Sequence, residues 1–375
     1  MFRRLETDRW LFIATIALCL VGAVMVFSAS AVTSRADYGS AYHFLLRQLA
    51  FLVLGAAGML ALMNVDYRII RKPTVIFGGL SVVFLMLIAV FFLDKHHETH
   101  RWIAFHGIGI QPSELAKLAV IAYLGWFLER RMRLGGNHMN DVRHTLIPAL
   151  GPVVLLAGLI AKQPDLGTAI EIFLIALAML FVAGVSMKYI ALAGAAVTPY
   201  VLYLIIFVPW RLQRMMSFLH PSLDPQGKGF QLIQSLIAVG SGGFTGVGLM
   251  ESRQKLFYLP EAHTDFIFAV ICEELGFIGG AIVLALFAVY AWRGLRAALE
   301  TMDPFGRLIA LGITTMVASQ AMINLCVVLG MLPTKGIPLP FISYGGSSLL
   351  VMLLATGVLL NISQSAGHSF SRHSD

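Results

Sequence analysis

The chain has 375 residues, 58% of them hydrophobic and only 13% charged, with a mean hydropathy of +0.80. A soluble domain carries about a quarter charged residues, so this composition cannot cover a water-facing surface and points to a protein that crosses a bilayer many times. The formal charge of +7 does not imply nucleic acid, because its distribution is topological.

A spanning helix needs about 20 mostly apolar residues. The chain offers ten such stretches: 10–32, 44–65, 74–93, 113–129, 145–161, 166–184, 188–208, 264–292, 306–331 and 342–363. The first imitates a signal peptide, with Arg3 and Arg4 ahead of an apolar run and Ser28-Ala29-Ser30-Ala31 after it. The run from Leu11 to Phe27 is longer than the ~7–15 residues of a signal core, so it is read as an uncleaved first span. Arg68, Arg71 and Lys72, then Arg130, Arg131, Arg133 and Arg143, then Arg293, Arg296 and Arg307 fall in every second connection. That alternation is the positive-inside pattern and puts the N-terminus in the cytoplasm. Ten spans bring the C-terminus back to the same side, with a polar tail, 364–375, expected to be disordered.

The expected fold is therefore an all-α, polytopic helical bundle forming one transmembrane domain over 1–375, without repeats or linkers. Lys162-Gln163-Pro164-Asp165 reads either as a tight hairpin between two spans or as a kink. Between the seventh and eighth spans lies the one long connection, 209–263, extracytoplasmic by this topology. Its Phe230-Gln231-Leu232-Ile233-Gln234-Ser235-Leu236-Ile237 stretch is amphiphilic and is followed by the glycine-rich 240–248. The segment is too apolar for disorder, and short helices on or in the outer leaflet are expected.

Carboxylates inside hydrocarbon are costly, about 2.5–3.5 kcal/mol at a helix centre, so an intramembrane cluster is a functional-site hypothesis. Asp265 stands at the mouth of the eighth span, and on a continuous helix Glu273 and Glu274 lie about 12–14 Å deeper. Asp265 is either a functional acid or a helix-capping one favoured by the macrodipole, with Thr264 or His263 as cap. Glu273 and Glu274 suit ion pairs with a basic residue of another helix. Glu114 and Lys117, at i and i+3 after Gln111-Pro112-Ser113, share a face and form either a structural salt bridge or a site where Lys117 meets an anion. Asp165 follows Pro164 at a helix start, the ordinary place for an acid. Ser343 opens the Ser-Tyr-Gly-Gly-Ser-Ser run before the last span, whose N–H groups suit either an anion or close helix packing. Lys255 and Arg253 are outward basic groups, solvated charges or phosphate contacts.

There is no G-x-x-x-x-G-K-[ST], no G-x-G-x-x-G and no G-x-S-x-G, so no nucleotide is expected. Cys19, Cys272 and Cys326 are scattered through apolar runs and make neither a disulfide framework nor a metal spacing.

Several ordered blocks resemble the SEDS family (shape, elongation, division and sporulation), which contains FtsW and RodA. They are Gln111–Glu114 with Lys117, Pro164–Thr168, Gly229-Phe230-Gln231 through Gly240–Gly243, Pro260–Gly276 and Pro338–Ser348, and they cover nearly the whole chain. Leu332–Gly336 and Tyr258–His263 are similar to the FtsW branch, Ile337–Phe341 to the RodA branch, and the balance leans to FtsW. The resemblance implies a peptidoglycan glycosyltransferase of the bacterial cytoplasmic (inner) membrane. It would polymerise undecaprenyl-pyrophosphate-linked lipid II into β-1,4 glycan, in division or elongation. It implies Asp265 as the catalytic residue and Glu114, Lys117 and Asp165 in the same central cavity, with Gln231, Lys255, His263 and Ser343 as further substrate contacts. Lys117, Lys255 or a divalent cation (Mg²⁺ or Mn²⁺) would steady the leaving pyrophosphate. The implied partners are a class B penicillin-binding protein and other divisome or elongasome membrane proteins. A lipid II flippase and a non-catalytic division scaffold are the competing expectations.

Overall fold

The computed structural model describes residues 7–93, 101–105, 108–224, 227, 229–256 and 258–371. Twelve α-helices carry the fold: α1 (Arg9–Tyr38), α2 (His43–Asn64), α3 (Pro73–Leu93), α4 (Pro112–Arg133), α5 (Ile147–Lys162), α6 (Leu166–Val182), α7 (Met187–Ile206), α8 (Pro209–Leu219), α9 (Phe230–Ser241), α10 (Ile267–Glu300), α11 (Pro304–Val328) and α12 (Gly346–Ser371). A small antiparallel ribbon, β1 (Ile103–Phe105) with β2 (Ile108–Ile110), pairs Ile103 with Ile110 between α3 and α4.

All ten expected spans are helices. Eight are long and apolar enough to cross a membrane by length and composition alone. The other two, α4 and α6, are exceptions for physical reasons: α4 carries Glu114, Lys117 and Glu129, and α6 has only 17 residues. Both are well buried among their neighbours, so protein rather than lipid solvates their polar groups. By contrast α7 has no fully buried side chain and packs on the core through the partly buried Tyr189, Ile190 and Leu204. The protein is thus a polytopic membrane protein.

Lys162–Asp165 is a turn between separate helices, not a kink. The long connection folds as expected into two short helices, α8 and α9, with an irregular stretch between them and another leading into α10. Two boundaries differ from the sequence reading. Helix α10 runs on to Glu300. The supposedly disordered tail is helical through Ser371, because Gln364 is buried and donates to Thr7 Oγ1 at 2.9 Å, carrying α12 past the onset of polarity. Residues 372–375 of that tail lie outside the described residues.

Helix α10 is also interrupted. Gly276 sits at φ 66°, which frees backbone groups on either side of it. The glycine-rich stretch after α9 takes them up: Val247 and Gly248 N–H donate to the Glu273 and Glu274 carbonyls at 3.0 and 3.1 Å, while Phe277 and Ile278 N–H donate to the Gly243 and Phe244 carbonyls at 2.9 and 3.2 Å. Broken backbone at membrane depth is tolerated only when protein satisfies it in this way. The approach is so close that a Cβ on Gly246 would stand 2.1 Å from the Glu274 carbonyl oxygen. The glycines at 240–248 therefore serve backbone contact.

Candidate active site

Asp265 lies in the loop two residues ahead of α10, outside the span itself. Its carboxylate does not cap the helix, since Phe266 occupies the N-cap position without any side-chain bond. Backbone bonds fix the loop instead. Asn324 on α11 donates through Nδ2 to the Asp265 carbonyl and to the Ile337 carbonyl, both at 2.8 Å. Ser343 Oγ donates to the Thr264 carbonyl at 2.5 Å, and Tyr344 N–H to the His263 carbonyl at 3.0 Å. These bonds stitch the segment before α10 to the one between α11 and α12.

The Asp265 side chain faces Gly336, where an added Cβ would be 3.1 Å from Oδ2. Beyond it opens a cavity of about 530 Å³ bordered by Asp265, Glu261, Gln231, Arg101, Arg214 and Lys335. That volume lies within the ~300–1,000 Å³ usual for small-molecule sites. Burial, reinforced by Glu261, pushes the Asp265 carboxyl up to about 7, against the pull of Arg101 and Arg214. Burial likewise lowers the pKa of Lys335 and of Arg214. Arg101 holds the α5–α6 turn, donating to the Gln163 carbonyl at 3.1 Å and the Pro164 carbonyl at 2.5 Å. A second chamber of about 270 Å³ adjoins the first across Trp210, Arg214, Thr334 and Lys335, and contains Arg211 and Asp165.

The other expected site residues divide sharply. Gln231 borders the Asp265 cavity, its Nε2 3.4 Å from the Pro260 carbonyl. Asp165 caps α6, accepting from Thr168 N–H at 3.1 Å and Thr168 Oγ1 at 2.8 Å, and faces the second chamber. Glu114 and Lys117 pair at 3.0 Å, but deep in the bundle: Lys117 Nζ also meets Glu171 at 3.5 Å and Gln320 Oε1 at 2.5 Å. They border neither chamber; Gln320 links Lys117 to the Pro338 carbonyl at 2.9 Å, and Ser348 Oγ donates to Glu114 at 3.1 Å.

Lys255 is a correction. It is buried against Glu274 at 2.8 Å and donates to Ser28 Oγ at 3.2 Å, because the loop that repairs the α10 break folds it inward. It cannot contact a pyrophosphate at Asp265 from there. The basic partner of Glu274 comes from this loop rather than from another helix, which contributes only the Ser28 hydroxyl of α1, and Glu273 is served by the loop too: Arg253 N–H reaches it at 3.0 Å, and Ser252 Oγ donates to the same carboxylate. His263 packs on Phe44 and Tyr344, ring centroids 4.7 and 5.7 Å away, and burial lowers its pKa. Ser343 spends its hydroxyl on the loop, also accepting from Leu339 N–H at 2.8 Å, so it positions Asp265's segment rather than binding an anion.

Comparison with known proteins agrees with this architecture. Residues 9–368 match the model of the cell cycle protein family that groups FtsW, RodA and SpoVE. The chain belongs to the FtsW/RodA/SpoVE family. It is 42% identical to a probable peptidoglycan glycosyltransferase FtsW of Trichlorobacter lovleyi, over 96% of this chain and 94% of that one. It is 43% identical to stage V sporulation protein E of Bacillus subtilis, over 96% and 98%. Its fold superposes with a TM-score of 0.76 on a chain at 29% identity, covering 96% of this chain and 99% of the other, from a solved peptidoglycan synthase complex described as coordinating polymerization and crosslinking.

Within this family member, sequence reasoning missed Arg101, Arg211, Arg214 and Lys335 as site residues. A signal was present: all four fall in connections that the basic alternation assigns to the poorly charged side. The fold gathers these four around the two chambers, whereas Arg253 and Lys255, in the same outward connection as Arg211 and Arg214, border neither. Metal binding is a separate matter. Among the described residues no three His, Cys, Asp or Glu side chains converge on a metal-sized position. Two carboxylates, Asp265 and Glu261, border the Asp265 cavity beside its cations, too few for an all-protein cage but the number with which Mg²⁺ is ordinarily held together with substrate phosphates.

Proposed function

We infer that this chain is a peptidoglycan glycosyltransferase, polymerising lipid II into β-1,4 glycan at the outer face of the cytoplasmic membrane, with Asp265 as its base. The observation that carries this reading is a carboxylate left without a hydrogen bond among the described residues, opening into a cavity ringed by Arg101, Arg214 and Lys335. A base poised near neutrality and fixed cations beside it are what glycosyl transfer from a diphosphate requires.

The reaction balances as follows. The 4-hydroxyl oxygen of the acceptor sugar bonds to the anomeric carbon of the donor as the bond from that carbon to the diphosphate oxygen breaks. Asp265 takes the hydroxyl proton, and the diphosphate leaves with the bonding electron pair. Attack opposite the leaving group turns an α-linked donor into a β-linked product. Arg101, Arg214 and Lys335 stabilise the charge growing on the leaving oxygen.

The relatives named for division and for sporulation are almost equally similar, so the conclusion concerns the chemistry rather than the stage of the cell cycle. The expected crosslinking partner is a class B penicillin-binding protein, supported by the likeness to a chain from a complex that couples the two activities. The alternation of basic loops supports a cytoplasmic N-terminus and an outward-facing Asp265 end.

The test is polymerisation of purified lipid II by the protein with its cognate penicillin-binding protein. Wild type gives a glycan ladder and Asp265→Ala gives none. A normal ladder from a folded Asp265→Ala protein would refute the assignment. Translocation of labelled lipid II without any polymer would favour the carrier reading instead.

A further inference from the structure

The chamber beside the Asp265 cavity shares Arg101, Arg214 and Lys335 with it and adds the least satisfied charge among the described residues. Arg211, on α8, is only 8% exposed. Its Nη2 donates to the Ala161 carbonyl at 3.1 Å, while Nε and Nη1 are enclosed with no acceptor. The Trp210 ring centroid lies 5.0 Å from its central carbon. No carboxylate among the described residues forms an ion pair with it. The acid of this chamber, Asp165, is already bonded to Thr168 at the start of α6.

A buried guanidinium with two idle N–H groups is costly, and its planar fork matches phosphate oxygens. Burial, then Arg101, lowers the Arg211 pKa, and Arg211 in turn weighs on Lys335. One polyanion would relieve all of these at once. The rest of the wall is apolar, from Leu166, Ile205, Met215, Leu332 and Ile337, which suits a hydrocarbon chain joined to that anion.

We propose that this chamber is a second diphosphate subsite, anchored by Arg211, which takes the diphosphate of the polyprenyl-linked acceptor. The identity of the ligand rests on the glycosyltransferase reading; the site itself rests on Arg211. The donor's diphosphate is bonded to the carbon under attack, so it belongs in the Asp265 cavity. The acceptor reacts at the sugar farthest from its own diphosphate and needs a second anion site about one disaccharide away. Arg211 borders the adjoining chamber and not the Asp265 cavity, while Arg101, Arg214 and Lys335 line both and can serve either diphosphate.

The experiment counts bound diphosphates. The full-length protein in zwitterionic-lipid nanodiscs is titrated with undecaprenyl diphosphate and, separately, with inorganic pyrophosphate, and stoichiometry is read by native mass spectrometry. Wild type and Asp265→Asn bind two undecaprenyl diphosphates. Arg211→Gln binds one, the second weakened by about tenfold or more. Arg211→Lys, which keeps the charge but not the fork, lies between them and covers the case in which the glutamine variant does not fold. In polymerisation, Arg211→Gln raises KM for lipid II more than it lowers kcat. Two full sites in a folded Arg211→Gln protein overturn the proposal. So does displacement by phosphatidylglycerol with no binding of pyrophosphate, which would make the chamber a general lipid-phosphate contact. Arg211-dependent binding by a wild-type protein that makes no glycan would keep the subsite and remove the enzymatic reading.

Discussion

Two acidic regions at the same end of this molecule are built in opposite ways. Around Glu273 and Glu274 nearly every acceptor is matched from within: Ser28 Oγ at 2.7 Å, Lys255 Nζ at 2.8 Å and Met250 N–H at 3.0 Å for Glu274, with Ser252 and Arg253 serving Glu273. Around Asp265 the cations stand near, and Arg101 donates to the Gln163 and Pro164 carbonyls and Arg214 to that of Thr334. The glutamates lie within the span and Asp265 lies outside it, so depth in the membrane does not mark the working acid. Saturation of hydrogen bonds does. A carboxylate completely enclosed by donors holds the fold, and one left open to a cavity of cations is available for substrate.

The strongest way to break this contrast is to neutralise Asp265. Asp265→Asn keeps shape and loop bonds, which come from the backbone, and should lower lipid II polymerisation by about 10²–10⁴-fold without lowering the unfolding temperature. A comparable loss of stability would make Asp265 a structural acid like its neighbours. The reciprocal change belongs in the saturated cluster. Lys255→Met leaves Glu274 buried without its cation and should cost about 3–5 kcal/mol of stability, read by denaturant unfolding in detergent. The surviving folded fraction should retain its specific activity, because Lys255 does not reach the cavity.

A smaller effect sharpens the account of the loop that supplies Lys255. Gly246 sits at φ 82° with the Glu274 carbonyl where its Cβ would be. Gly246→Ala should destabilise by about 1–3 kcal/mol and loosen protection of the Phe277 and Ile278 amides in hydrogen exchange. Undisturbed protection would mean the loop does not brace the break in α10.

Much of this was legible in the sequence. Ten apolar stretches of spanning length became ten helices, but Asp265 at the lip of a span read equally well as a helix-capping acid, and only the family resemblance favoured a catalytic one. The Gly240–Gly248 run was visible but not its purpose, since a helix break at Gly276 shows only when the partner backbone is seen beside it. Lys255 was misjudged for the same reason: one residue in an irregular loop can point outward or inward, and periodicity does not decide. The cation ring was hidden differently. Arg101, Arg214 and Lys335 come from three connections far apart in the chain, and only the fold brings them together.

The finest test of the contrast is the pH dependence of Asp265. Its carboxyl is raised from an ordinary 3.8 to about 7, by burial first and Glu261 next. As a base it must be ionised, so the polymerisation rate should climb with pH up to about 7 and level off above. The stability effect runs the other way. Between about 4 and 7 the folded protein holds a proton that the unfolded chain has released, so this group's contribution is complete at the acid end and is lost as pH rises through that window. Asp265→Asn should remove that slope while leaving the rest of the stability profile in place. Arg214→Gln takes away a cation that draws the carboxyl down, and should therefore move the midpoint of the rate profile to higher pH. A shift to lower pH would mean that Arg214 does not face the Asp265 carboxylate during turnover, and the ring of cations would have to be redrawn without it.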